Sequence, residues 1–300
     1  MENHAITSQD GRKIIVRRWF ASPAKATVHL MHGMAEHIDR YNAFAEFLSS
    51  QGFDVIAHNH RGHGEEQIPG HYADQQGWEK IIQDIVDVQQ QAIKNRELPL
   101  ILFGHSMGSF IAQGYAIRHS ERIAGLILSG SNYQSPFLYH AGKLVAKIER
   151  KRLGNKGSGL LDKLSFASFN NHFKPARTEF DWLSRDQQEV DKYIADNGCG
   201  FPCSGETWHQ LFDGLIEISN VTNLKRIRSD LPVYLFGGDK DPVGNMGKGL
   251  PALDHKLRQS GHNNVTLRLY KDGRHEMLNE TNKQEVYQDI NNWLTDTIKA

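Results

Sequence analysis

Ser106 stands between two glycines in Gly104-His105-Ser106-Met107-Gly108, directly behind the apolar run Leu98 to Phe103. A short apolar run that stops at a glycine reads as a buried strand of a parallel sheet. Beyond it, Met107, Ile111 and Tyr115 recur at helical spacing, while Gly108, Ala112 and Ala116 form a small-residue stripe that lets a helix lie close to a flat surface. Ser106 is therefore placed at a strand-to-helix turn, which lifts its hydroxyl above the sheet edge while the glycines keep neighbouring side chains clear. An ordinary glycine-rich turn that contains a serine fits the same five residues, so other parts of the chain must decide.

A serine hydroxyl becomes a nucleophile only when a base takes its proton, and the base needs a third group to fix its tautomer and stabilise its charge. After the run LPVYLFG, the stretch Gly238 to Val243 offers two carboxylates, Asp239 and Asp241; after NVTLRLY, the stretch Lys271 to Glu276 offers His275. His105 adjoins the serine, but side chains next to such a turn diverge, which makes it a poor base. Backbone donors for a developing oxyanion are expected at Met107, immediately after the serine, and at Met34 in the loop His32-Gly33-Met34-Ala35-Glu36-His37. His58-Asn59-His60-Arg61-Gly62-His63 is dense enough in imidazole to suggest a metal, but no carboxylate or thiol lies beside it at ligand spacing, and a turn built on Arg61-Gly62-His63-Gly64 explains the same residues. Neither a metal nor a cofactor is expected.

The elements that would carry these groups alternate. Asp10-Gly11 marks a hairpin between two apolar-rich arms. Residues 26 to 33 read as strand, 40 to 52 as a helix closed by Gly52, 53 to 60 as strand, and Trp78, Ile81, Ile82, Ile85, Ala92 and Ile93 as one face of a helix. Residues 123 to 130 supply another strand, 231 to 239 and 264 to 270 two more, and Val286, Ile290, Trp293, Leu294 and Ile298 a closing amphipathic helix. The βαβα order predicts an α/β protein with a mostly parallel central sheet flanked by helices. Strand-like text is missing from 131 to about 220, which predicts core segments 1–130 and 218–300 around a helical cap, or lid, at 131–217.

Composition narrows the partners. Across 300 residues Lys+Arg and Asp+Glu are 35 each, so no basic field is available to hold nucleic acid. The amino terminus lacks a signal-peptide pattern and no stretch approaches the ~18 apolar residues of a spanning helix. Cys199 and Cys203 are too sparse for a disulfide framework and read as free thiols of a cytoplasmic protein.

Taken together, HGMAEHIDRY (32 to 41), RGHG (61 to 64), GHSMGS (104 to 109), GDKDPV (238 to 243) and RHEMLNE (274 to 280) resemble the bacterial lysophospholipase and monoacylglycerol lipase branch of the α/β hydrolases, also called serine aminopeptidase-like. The resemblance implies an α/β-hydrolase fold with Ser106 as nucleophile, Asp241 as acid at the family's Gly-x-x-Asp spacing from Gly238, His275 as base, and Met34 and Met107 as oxyanion donors. It departs at Asn59, where Asp is usual, and at Ala35, where monoacylglycerol lipases often have Gly. The implied activity is hydrolysis of a small acyl ester or lipid, either a lysophospholipid or a monoacylglycerol. A short-chain esterase, a serine aminopeptidase and a non-catalytic interaction protein are the alternatives.

Within the cap, Phe137, Ala141, Leu144, Val145 and Ile148 share a helical face followed by a basic cluster. That face is expected to pack over the core. Alternatively it lines an acyl pocket, or touches a lipid surface at the inner face of the membrane while Lys143, Lys147 and Arg150 to Arg152 meet anionic head groups.

Overall fold

A computed structural model describes residues 1–299 except 65, 67 and 94–96. Eight strands form one sheet in the order β1-β2-β4-β3-β5-β6-β7-β8. The strands are β1 Glu2–Thr7, β2 Lys13–Trp19, β3 Ala26–Met31, β4 Phe53–His58, β5 Leu100–His105, β6 Gly125–Ser129, β7 Val233–Gly238 and β8 Val265–Tyr270. β1 and β2 form the antiparallel hairpin, with Gly11 at φ +84° in its turn, and β2 meets β4 antiparallel; from β4 to β8 every pairing is parallel. β3 to β7 are buried along nearly their whole length, as their apolar text requires of strands covered on both faces.

Helices α1 Asn42–Ser50 and α10 Lys283–Thr297 cover one face, where Phe44, Leu48, Val286, Ile290 and Leu294 join Val28, Val55 and Phe103 in a single apolar cluster. The opposite face packs against α2 Gly77–Ala92, α3 Met107–His119 and α9 Gly249–Gln259, through Ile81, Ile85, Ile111, Tyr115, Leu253 and Leu257. α9 answers to no expectation from the sequence; Pro251 and a charged face obscure its short apolar stripe of Leu250, Leu253 and Leu257.

Between β6 and β7 the chain forms α4 Pro136–Leu153, α5 Gly159–Phe166, α6 Gln187–Ala195, α7 Gly205–Ile218 and α8 Val221–Leu224. Trp208, Leu211, Leu215 and Ile218 of α7 belong to the same apolar cluster as α2 and α3. α4 corrects the packing expectation. Its buried positions are Ala146 and Glu149, whereas Phe137, Leu144 and Ile148 are 77%, 62% and 57% exposed. The reason is steric: a Cβ on Gly142 would come within 2.4 Å of the Phe212 ring and one on Gly205 within 2.5 Å of the Arg150 backbone, so small residues, not bulky ones, set the α4–α7 contact. Nor is the basic cluster wholly free, since Lys143 pairs with Asp213, Arg150 with Glu206 and Arg152 with Glu149. Lys147 and Lys151 stay exposed beside the apolar stripe. Among the described residues, no helix is long and apolar enough to cross a membrane.

His29, His32, His58, His60 and His63 are buried about the ends of β3 and β4, and burial pushes each imidazole below its ordinary value, His29 to about 3 and His63 to about 4. Groups that stay neutral in the fold but protonate when unfolded stabilise fully above about pH 6.5 and progressively less below it. Each can therefore cost up to about 2 kcal/mol between about pH 6.5 and about pH 5. Denaturant unfolding at those two pH values should show a clearly lower midpoint at the acid one, with uptake of more than one proton; equal midpoints would contradict the buried neutral cluster.

Candidate active site

β5 runs into Ser106, whose backbone takes φ 53° and ψ −121°, a region that L-residues rarely occupy and that costs about 1–3 kcal/mol. The turn is held from both sides: the Ser106 N–H donates to the Ser129 carbonyl at 2.8 Å, and the Ser106 carbonyl accepts from the Ser109 N–H at 2.8 Å and the Ser109 hydroxyl at 2.6 Å. The flanking glycines are required by close approach. A Cβ on Gly104 would lie 2.4 Å from the Gly108 carbonyl oxygen, and one on Gly108 would lie 2.4 Å from that of Met31.

His275 leaves the loop after β8 and Asp241 the loop after β7, and parallel pairing of β7 with β8 brings the two loops together. His275 Nδ1 lies 3.0 Å from each carboxylate oxygen of Asp241, both residues being buried. Asp241 is fixed in turn by the Val243 N–H at 2.8 Å. Burial lowers the His275 imidazole, but the Asp241 carboxylate, with Glu276 and Glu36 behind it, outweighs this and leaves its pKa above the ordinary value. Asp239 instead accepts the Asp272 N–H at 2.8 Å and stabilises the turn after β8. His105 is buried with its ring 4.8 Å from that of His275, and burial first, then His275, push it down to about 4. The Trp182 ring also packs against His275, at 5.2 Å.

The loop after β3 is clamped through charge. Glu36 accepts the Gly33 N–H at 2.5 Å and the Tyr41 hydroxyl at 2.7 Å, and its second oxygen pairs with Arg40 at 2.6 Å. Arg40 also holds both oxygens of Glu276, the neighbour of His275, at 2.6 Å each. Burial pushes the two carboxyls up, and Arg40 pulls both back below their ordinary value. The amides on either side of Met34 are engaged, Gly33 by Glu36 and Ala35 by His63 Nε2 at 3.0 Å. Ala35 takes φ 53°, a conformation that glycine adopts without strain, and its carbonyl is held by the Gly200 N–H at 2.9 Å and the Tyr193 hydroxyl at 3.1 Å. Asn59 does an aspartate's anchoring work with its amide oxygen, accepting the Ile38 N–H at 3.0 Å. The Arg61 to Gly64 stretch is a turn, with both glycines at positive φ and Arg61 paired to Asp10 and Asp84.

Ser106, His275, Met34 and Met107 line one cavity of about 670 Å³. Its wall is largely apolar, with Phe110, Phe166, Trp182, Trp208, Leu211 and Leu215, and carries polar groups at Asn132, Asp162 and Thr178. Sequence reasoning assigned no role to Glu36, Arg40, Glu276 or Trp182. The available signal was the presence of opposite charges inside two quoted motifs, HGMAEHIDRY and RHEMLNE, on loops that follow strands.

The family model described as "Serine aminopeptidase, S33" matches residues 22–282. Monoglyceride lipase of Rattus norvegicus is 26% identical over 98% of this chain and 90% of its own length, and monoacylglycerol lipase of Mycolicibacterium smegmatis is 24% identical over 97% and 96%. The crystal structure of a thermostable carboxyl esterase from Bacillus coagulans in complex with glycerol superimposes with a TM-score of 0.90 at 26% identity, covering 99% of this chain and 98% of that one.

Replacing Arg40 by Met strands two buried carboxylates and is expected to cost about 3–5 kcal/mol. Since both would then bind protons more readily in the fold, the loss relative to wild type should shrink as pH falls from about 8 to about 5.5. Denaturant unfolding of both proteins measures this; a penalty that grows on acidification would contradict the clamp.

Proposed function

We propose, from the premise that this chain belongs to the serine aminopeptidase S33 family of α/β hydrolases and is an ester hydrolase, that it cleaves single-chain acyl esters, monoacylglycerol or lysophospholipid, with Ser106 as nucleophile. The observation that carries the reading is the cavity shared by Ser106 and His275, whose volume falls in the usual range for a small-molecule site and whose wall is mainly hydrophobic. In this reading Ser106 Oγ attacks the ester carbonyl while His275 Nε2 takes its proton, and Asp241 holds the Nδ1 proton and stabilises the imidazolium. Met34 and Met107 donate their N–H groups to the oxyanion. His275 returns the proton to the departing alcohol, leaving an acyl-serine; a water activated by the same imidazole then releases the fatty acid.

The glycerol named in the Bacillus coagulans esterase structure supports an alcohol side that accepts a polyol. Segment 131–217 acts as the cap, contributing Phe166, Trp182 and Trp208 to the acyl wall. The solvent-facing stripe Phe137, Leu138, Leu144 and Ile148, with Leu160 and Leu164 of α5 also exposed and Lys147 and Lys151 nearby, supports transient contact of the cap with a lipid surface.

Ser106→Ala should lower ester hydrolysis by about a millionfold, and Asp241→Asn by about three to four orders of magnitude. Asp239→Asn should stay within a few fold of wild type. The acidic limb of kcat/KM should lie above about pH 6.5, because the raised pKa of His275 means that its neutral form is lost at a higher pH than usual. Rates on p-nitrophenyl esters should climb with chain length, each buried methylene contributing at most about 0.8 kcal/mol. Monoacylglycerol and lysophosphatidylcholine should be turned over in preference to an aminoacyl anilide. A best rate on acetate with neither lipid hydrolysed would assign a short-ester hydrolase, and preference for the anilide an aminopeptidase.

A further inference from the structure

His37, Asp196 and Cys199 come from parts of the chain far apart in sequence, and their ligand-capable atoms all lie within 4.8 Å of one another. His37 follows Glu36 in the loop after β3, while Asp196 and Cys199 follow α6. His37 Nε2 meets Asp196 Oδ2 at 2.8 Å. The three groups are partly exposed, so an ion could enter from solvent. Gly198 supplies a second observation. A Cβ there would sit 2.9 Å from the His37 ring, 3.1 Å from Asp196 Oδ1 and 3.2 Å from His37 Nε2, so a side chain would fill the space in front of both ligands. Its φ is not in the left-handed region, so backbone conformation does not demand the glycine. The nearby Arg40 charge does not oppose a cation strongly, being matched by Glu36 and Glu276.

We propose that His37, Asp196 and Cys199 form a three-ligand site for a thiophilic divalent cation, zinc above all, that joins the loop carrying Met34 and Ala35 to the segment after α6. A thiolate, an imidazole and a carboxylate favour zinc or cobalt over magnesium or calcium, and three protein ligands leave a fourth position for water. Binding replaces the proton of the Cys199 thiol, which is released to solvent, and the two anionic ligands neutralise the ion. The link adds to contacts already present, since Gly200 and Tyr193 hold the Ala35 carbonyl. None of the three ligands lines the cavity that holds Ser106 and His275, and the site departs from the expectation that the chain carries no metal.

The test uses chelator-treated protein titrated with cobalt(II) alone, then with zinc to displace it. One equivalent of cobalt should bind and develop a thiolate-to-cobalt charge-transfer band, and zinc should abolish the band and raise the Tm. Cys199→Ser should lose the band while keeping the wild-type circular dichroism and metal-free ester hydrolysis; Cys203→Ser, which alters a buried thiol outside the cluster, should keep it. His37→Gln, Asp196→Asn and Gly198→Ala should each weaken binding at least about tenfold, as even outer-sphere partners of metals cost that much. A band that survives Cys199→Ser, or saturable binding that none of these variants weakens, would overturn the proposal, as would the absence of saturable binding to wild type.

Discussion

The structure around Ser106 depends on one buried cation. Arg40 lies between Glu36 and Glu276, and those two carboxylates stand in different loops, one after β3 and the other after β8. A guanidinium taken out of water must be matched by acceptors in fixed directions, so its fork dictates the separation of the two loops to within a hydrogen bond. Glu36 then passes the constraint to the Gly33 amide beside Met34, and Glu276 passes it to the backbone of His275. In this way the Met34 loop and the His275 imidazole are set against each other, although they follow strands separated by β5, β6 and β7.

The sheet supplies the coarser alignment. Parallel pairing from β3 through β5, β6 and β7 to β8 puts the ends of these strands at one edge, and Ser106, Asp241, His275 and Met34 all lie on loops leaving that edge. The strained Ser106 backbone is tolerated because the turn is over-determined by the Ser129 carbonyl, the Ser109 donors and glycines whose absent side chains let β5 and α3 approach. Trp182 packs against His275 and belongs to FDWLSRD, which is tied to the His275 loop through Arg185 to Glu280 and through Arg274 to the Asp181 and Ser184 carbonyls. That segment therefore shares the geometry of the core loops.

Much of this was legible because it rests on local rules. The two-residue and 3.6-residue periods, the glycines about Ser106 and the loops that follow apolar runs located every strand and placed Ser106, Asp241 and His275 at strand ends. What escaped depends on tertiary contact. Spacing left Asp239 and Asp241 equivalent until a family pattern chose between them, and the structure separates them by which faces the imidazole and which faces the Asp272 amide. On α4 the periodicity marked the bulky face as buried, while the packed face turned out to be the one that Gly142 and Ala146 open to Phe212 and α7. Glu36, Arg40 and Glu276 received no role from the sequence because the clamp they form joins partners 4 and 236 residues apart along the chain.

The central claim is that Ser106, in this clamped and strained setting, is the nucleophile. Its most direct measurement is covalent capture: folded wild-type protein is treated with a fluorophosphonate, digested, and the adduct located by mass spectrometry. The account predicts one adduct, on the peptide that contains Ser106, forming rapidly in wild type and very slowly when His275 is replaced by Ala. An adduct on a different residue, or no adduct in well-folded protein, would contradict it.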